Sequence, residues 1–394
     1  MPTIRGWAAL GASLALVVLW IAFGEQLLLA AAAFLLLAVG IGVIHVRRTV
    51  PRVAVERRIS PTQVHDGDRA IVEIAMTGRR RIHHVNVEDV VQGLGAAAFT
   101  ADTVDDSDPV VARYEILCRP RGVYKVGPAA VSVRDPLAMA ESGGTAGRAD
   151  RLVVFPTIED LAGLPIVRGQ DPTVNTSQAN FSQTGGEDFF TLREYQQGDD
   201  LRRVHWPSSA KRDELMIRQL EMPWQSRALV LLDPRVGSYS GAEAFEHAVR
   251  GAASAMRHLF QSGFSPTLWT GVSEGTNVAS IEAYAHGMEE LATVQAVADI
   301  DLRRLVGRMR RSGLSGGALI MVTGAPDDSD LAVFRLLSRD YVKTVAMAVA
   351  QKENEGILQL RRAGAITVLS AAGASWAPVW REAMERAWST ATAG

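Results

Sequence analysis

The chain has 394 residues, and its 41 Lys and Arg against 43 Asp and Glu leave a formal net charge of −2. That balance excludes the broad basic field of a general nucleic-acid binder. Cys118 is the sole cysteine, so no intramolecular disulfide can form, and its setting reads as a strand position rather than a nucleophile. The length suggests about two or three domains.

The N-terminus carries two uncharged apolar runs, 7–23 and 27–46, separated only by Gly24, Glu25 and Gln26. Each is long enough as a helix to approach the thickness of a bilayer's hydrocarbon layer, and the short connection forces an antiparallel hairpin. Arg5 precedes the first run, and Arg47, Arg48 and Arg52 follow the second. The positive-inside rule then places both ends, and everything after residue 46, on the cytoplasmic side of the cytoplasmic membrane. Ala30 to Ala33 could mimic a signal-peptide cleavage site, but apolar character continues past it. The small pair Gly11 and Ala15 is too common in alanine-rich spans to mark a helix contact.

Residues 51–156 follow as a β-rich domain. Short runs such as Ile71 to Met76, Val85 to Val90 and Val111 to Cys118 are punctuated by Pro61, Asp66-Gly67-Asp68 and Gly78. A small antiparallel, immunoglobulin-like sandwich is expected, with a hairpin around Gly127-Pro128. Arg79-Arg80-Arg81 reads as a solvated hairpin tip, with contact to anionic lipid as the lesser alternative.

Residues 157–184 form a polar connector. Beyond the charged block 185–224, residues 225–394 alternate strand and helix. Ala228 to Leu232 and Ala318 to Val322 are wholly apolar, as strands buried on both faces are. A doubly wound parallel α/β sheet is expected.

The block itself packs Arg193, Arg202, Arg203, Lys211 and Arg212 close to Glu187, Asp188, Glu194, Asp199 and Asp200. Phe189, Phe190, Tyr195 and Trp206 argue against disorder, so a network of charge-assisted hydrogen bonds is expected. Glu187, Phe189, Arg193, Glu194, Tyr195, Gly198, Asp199, Asp200, Arg202, Trp206, Ala210, Leu215 and Arg218 fit the signature of the bacterial family called domain of unknown function 58, which the chain resembles. His205 stands where that family usually has Asp, and Pro207 where it usually has Lys. The interaction residues expected from residues and resemblance together are Glu187, Arg193, Glu194, Tyr195, Gly198, Asp199, Asp200, Arg202, His205, Trp206, Arg212 and Arg218.

The resemblance implies that the α/β domain is of the von Willebrand factor A-like type and that a MoxR-type AAA+ ATPase is the partner. Domains of that type often hold a divalent cation through Asp-x-Ser-x-Ser after the first strand, with a later Thr and Asp. Here Asp233 keeps the first place, but Arg235 and Gly237 take the next two, and Ser238 and Ser240 are out of register. Thr323, with Asp327 or Asp328 near it, remains as a degenerate remnant. A guanidinium repels a cation and offers no lone pair, so no metal and no other cofactor is expected, and Asp233 should pair with Arg235 or cap a helix.

No nucleophile elbow, Walker loop or His-Glu-x-x-His occurs. The expected function is therefore a membrane-anchored, non-enzymatic adaptor. Two alternatives stay open: a hydrolase using His205 with Ser208 or Ser209, and an outward-facing, metal-dependent adhesion module.

Overall fold

A computed structural model describes residues 1–79, 81–163, 190–195, 204, 206–212, 214–220, 227–271, 275–298, 300–311 and 316–392, with backbone alone at 51, 190–194, 207, 212, 217–220, 329 and 390–392. The described chain divides into two units, Met1–Pro156 and Thr157–Gly394.

The first unit begins with helices α1 (Ile4–Phe23) and α2 (Gln26–Thr49). Both are long and apolar enough to cross a membrane. At 1.5 Å per residue they measure about 30 and 36 Å. Helical backbone satisfies its own polar groups, which lipid cannot do. Thr3 caps α1 by accepting from the Gly6 N–H, and Gly24 closes it in a left-handed turn. The two helices meet through Ser13, whose hydroxyl donates to the Ala32 carbonyl at 2.9 Å. Gly11 and Ala15 lie on the exposed side.

Ten strands follow: β1 (Val53–Ser60), β2 (Gln63–His65), β3 (Arg69–Gly78), β4 (Ile82–Val91), β5 (Gly95–Val104), β6 (Val110–Leu117), β7 (Gly122–Val126), β8 (Ala129–Arg134), β9 (Glu141–Ala146) and β10 (Asp150–Phe155). One sheet has the order β1-β3-β6; the other runs β2-β10-β7-β4-β8-β9, with β5 paired to β4. Strand alternation aims Val72, Ile74 and Met76 from one sheet and Val85, Val87, Val131 and Val133 from the other into a single core. Cys118 is buried just past β6, and burial pushes its thiol up.

Two expected turns are corrected. β4 lies between β7 and β8, so Gly127-Pro128 carries the chain across a strand rather than around a hairpin. The Val126 carbonyl at the end of β7 also accepts from Arg57 at 3.2 Å. Arg79 and Arg81 lie on a connection between the two sheets, not at a hairpin tip. Arg80 lies outside the described residues.

In the second unit β11 (Phe190–Glu194) and β12 (Met216–Leu220) pair antiparallel around α3 (Trp206–Arg212). Then come β13 (Arg227–Leu232), α4 (Ala242–Gln261), β14 (Ser265–Trp269), β15 (Thr276–Asn277), α5 (Ile281–Thr293), α6 (Leu302–Arg311), β16 (Gly316–Thr323), α7 (Asp328–Ser338), β17 (Tyr341–Val349), α8 (Glu355–Arg362), β18 (Ile366–Ser370) and α9 (Trp376–Thr392). Strands β13, β14, β16, β17 and β18 are mutually parallel, and the sheet order is β15-β14-β13-β16-β17-β18 with β15 an antiparallel edge. Leu229, Leu231, Leu319 and Met321 face a core completed by α6, α7 and α8. The alternate residues Ala228, Val230, Leu232, Ile320 and Val322 are also buried. Their sequences are apolar throughout because both faces are covered.

α9 is tied to the sheet's other helices by its first turn. Glu159 accepts from the Trp376 and Ala377 N–H groups at 2.7 and 3.1 Å. The Trp376 ring stacks on His247 at 4.6 Å. Burial pulls the His247 imidazole down to about 4.

Candidate functional site

In an open α/β sheet the connections from two adjacent strands run in opposite directions at one point, and a crevice opens there at the carboxyl ends of the strands. Here that point lies between β13 and β16, the two central neighbours with opposite-going connections. Asp233 follows β13 and Thr323 ends β16, so strand register delivers both to this place.

The crevice holds an arginine. Arg235 Nε and Nη2 donate to the two oxygens of Asp233 at 2.9 and 2.7 Å, and Nη2 also reaches Asp330 Oδ1 at 2.6 Å. The Asp233 carboxylate takes further bonds from the hydroxyls of Ser238 and Thr323, each at 2.8 Å. The Tyr239 hydroxyl donates to the Asp233 carbonyl at 2.7 Å. Asp233 and Asp330 are buried, and the Arg235 side chain is 18% exposed.

Local sequence builds this arrangement. Pro234 turns the chain off the strand, and the 3-10 turn Val236–Ser238 curls it back so that Ser238 meets Asp233. The Ser238 carbonyl then accepts from the Ala325 N–H of the next loop at 3.0 Å. A Cβ on Gly324 would fall 1.6 Å from that carbonyl oxygen, so only glycine permits the approach. Asp327 and Asp330 cap α7 reciprocally, each accepting from the other's N–H. That turn swings Asp330, rather than Asp327 or Asp328, toward Arg235.

The electrostatics follow from one positive group between two buried negatives. The hydrogen bonds that Arg235 donates to Asp233 raise its guanidinium above its ordinary range, against the opposing effect of burial. Burial raises the Asp330 carboxyl, and the Asp327 N–H and Arg235 pull back against it. Burial, then the Asp233 charge, pushes the Tyr239 phenol well up.

The expected pairing of Asp233 with Arg235 is present, and Thr323 belongs to the same cluster. The expectation that Ser238 is displaced is corrected: the 3-10 turn restores its reach. The donor set does not fit a divalent cation, because the guanidinium already lies between both carboxylates at hydrogen-bonding distance. Among the described residues no group of three or more His, Cys, Asp or Glu is arranged to hold a metal.

The charged block is described only in part. Glu187, Gly198, Asp199, Asp200, Arg202 and His205 lie outside the described residues. Arg193 and Glu194 pair by backbone with Ile217 and Met216, and Arg218 with Leu192. The Tyr195 N–H continues the ribbon to the Leu215 carbonyl at 2.8 Å. Arg212 ends α3 and Trp206 begins it, with its indole 67% exposed. Ser209 is buried and its hydroxyl accepts from the Met216 N–H at 2.9 Å, which fastens α3 to β12.

A second buried arginine, which sequence reading passed over, lies in the β-sandwich. Arg57 on β1 forms a bidentate pair with Asp89 on β4 and reaches Asp150 on β10 at 2.9 Å. Tyr114 on β6 donates to Asp89 at 2.6 Å. Burial pulls the Arg57 guanidinium down, but Asp89 and Asp150 together outweigh it and hold it above its ordinary value. An acidic residue at an inward strand position, between Val87 and Val91, was the available signal.

Residues 191–262 match the family model described as "Protein of unknown function DUF58". The match starts in the β11 ribbon and runs through Asp233 and Arg235 into α4. The uncharacterized protein YeaD of Bacillus subtilis (strain 168) is 26% identical over 284 residues, covering 68% of this chain and 69% of YeaD. Together these support the resemblance to the domain of unknown function 58 family. Among solved structures, the CARDB domain of the PF1109 protein from Pyrococcus furiosus aligns with 26% of this chain and 86% of its own at 14% identity and a TM-score of 0.20. The sporulation control protein Spo0M from Bacillus subtilis aligns with 26% of this chain and 49% of its own at 10% identity and a TM-score of 0.17. Likenesses this slight carry no argument about fold or function.

Proposed function

We propose that this protein is a non-enzymatic scaffold held to the cytoplasmic membrane by its N-terminal hairpin, with both folded units on the cytoplasmic side. The observation that carries most weight is the clasp of Arg235 between Asp233 and Asp330. The crevice where an open α/β sheet usually takes a ligand is filled by the chain's own side chain. That favours a body whose work is presentation of surface. The strand order also suits a von Willebrand factor A-like domain in which arginine stands in the cation's place.

The exposed Trp206 supports docking. Its helix is short and fastened by Ser209, so its indole is presented on a braced support, and tryptophan is enriched at the energetic centres of interfaces. By the family resemblance, the partner is a MoxR-type AAA+ ATPase, which would supply ATP hydrolysis. Crosslinked affinity capture from membranes, with ATP-bound states trapped, should recover such an ATPase from wild type and lose it with Trp206→Ala. Recovery of none from either would count against the reading.

The rival hydrolase reading is weakened by Ser209, whose buried hydroxyl is spent on the Met216 amide. An ester and peptide substrate screen, with His205→Ala as the control, separates the two. Protease accessibility in intact cells against inverted vesicles tests the orientation.

A further inference from the structure

The two helices of the hairpin bring Arg5 and Arg47 to the same end, beside the turn that joins β8 to β9 in the same unit. Arg5, Trp7, Arg47 and Arg134 line one open cleft of about 960 Å³ there. Its acidic member is Glu141, and Arg134 bonds it at 2.9 Å. Arg5 and Arg47 are exposed and have no ion-pair partner among the described residues. The cleft therefore carries two uncompensated guanidinium groups next to an exposed indole.

The floor of the cleft is rigid. The Thr3 N–H donates to the Met139 carbonyl at 2.9 Å and its hydroxyl to the Ala138 carbonyl at 2.6 Å. Asp135 accepts from the Leu137 and Ala140 N–H groups at 3.0 and 2.5 Å, which fixes the loop between β8 and β9. A Cβ on Gly6 would lie 2.0 Å from the Met139 oxygen, so the first turn of α1 sits against this loop only as glycine. Leu137 projects from the loop, exposed and apolar. An apolar tip, an amphipathic indole and unpaired arginines at one level of a hairpin are the furnishings of a bilayer surface.

We infer that this cleft binds the phosphate of an anionic phospholipid headgroup from the leaflet facing the folded units, with Arg5 and Arg47 as the phosphate ligands and Trp7 packed along the glycerol backbone. Guanidinium forks match phosphate oxygens in charge and geometry, and basic pockets beside membrane helices are suited to such headgroups. An open cleft of that volume has room for a headgroup. The inference rests on the hairpin spanning the membrane.

The test uses the full chain reconstituted in phosphatidylcholine, alone or mixed with phosphatidylglycerol, and extracted into detergent. Lipid carried along is counted by native mass spectrometry. Wild type should retain phosphatidylglycerol in preference to phosphatidylcholine. Arg5→Gln and Arg47→Gln should each lower that retention about tenfold or more, the loss of a charged hydrogen bond to the phosphate. The Arg5→Lys, Arg47→Lys pair should keep part of it and so report on folding. Arg48→Gln removes the same charge from the same helix end, outside the cleft, and should lower retention by no more than the few-fold effect of any basic residue at an anionic surface. An equal loss with Arg48→Gln, or none with the double glutamine variant, would overturn the site. So would inorganic phosphate that displaces the lipid completely, since the ligand would then be free phosphate. Release of the chain from native membranes by alkaline carbonate would instead overturn the membrane reading beneath it.

Discussion

The two buried arginines make an instructive pair. Arg57 and Arg235 each join two aspartates, each has a tyrosine hydroxyl bonded to the first aspartate, and both are held above their ordinary proton affinity. Their places differ. Arg57 bridges the two sheets of the sandwich, with its side chain 2% exposed and Asp89 fully buried. Arg235 stands at the ends of parallel strands, at the switch point, and is partly open to solvent. One set of groups is thus a staple between layers in one unit and the filling of a ligand crevice in the other. Chemistry alone does not assign the role; position in the topology does.

The largest effect should come from breaking the staple. Arg57→Met strands the buried Asp89 carboxylate and should cost about 3 to 5 kcal/mol. Hydrogen exchange at β4 and β10 amides would report it, and protection equal to wild type would remove the distinction drawn here. Arg235→Ala should cost less, about 2 to 3 kcal/mol, because removal of a partly exposed side chain opens a path for water to the two buried carboxylates it leaves. Millimolar manganese should restore part of that loss in thermal unfolding, since a cation can then enter between Asp233 and Asp330. Manganese should do nothing for Arg57→Met, because Asp89 lies sealed between the sheets.

Acid sharpens the contrast. The His247 pKa falls from its ordinary value near 6.5 to about 4 in the fold. The folded α/β unit therefore binds fewer protons than the unfolded chain between those values, and stability present at neutral pH is lost as pH falls. By linkage the loss should reach about 2 kcal/mol by about pH 5. His247→Phe should flatten this dependence, measured by denaturant unfolding at a series of pH values. An unchanged slope would mean the imidazole is not held neutral. The smallest effect on folding belongs to Trp206→Ala, within about 0.5 kcal/mol because the indole is exposed, although it should abolish partner capture.

What was legible in the sequence follows from the range of each interaction. The runs 7–23 and 27–46 announce themselves because an unbroken apolar stretch of helix length is a purely local signal. Strands β13 and β16 do so because burial on both faces leaves no polar position. Asp233 and Arg235 sit two residues apart, so their pairing was readable. Asp330 lies 95 residues from Arg235, and Asp89 and Asp150 lie 32 and 93 from Arg57, distances at which only topology brings groups together. The Gly127-Pro128 turn misled for the same reason, since nothing local reveals a strand inserted between its neighbours. Ser238 misled because one 3-10 turn shifts the register on which ligand spacing depends.

The claim that arginine holds the cation's place is open to one direct measurement, calorimetric titration of the wild-type chain with magnesium or manganese. No binding heat into the millimolar range is predicted, with binding appearing once Arg235 is replaced by Ser. Micromolar binding by wild type, abolished by Asp233→Ala, would contradict it.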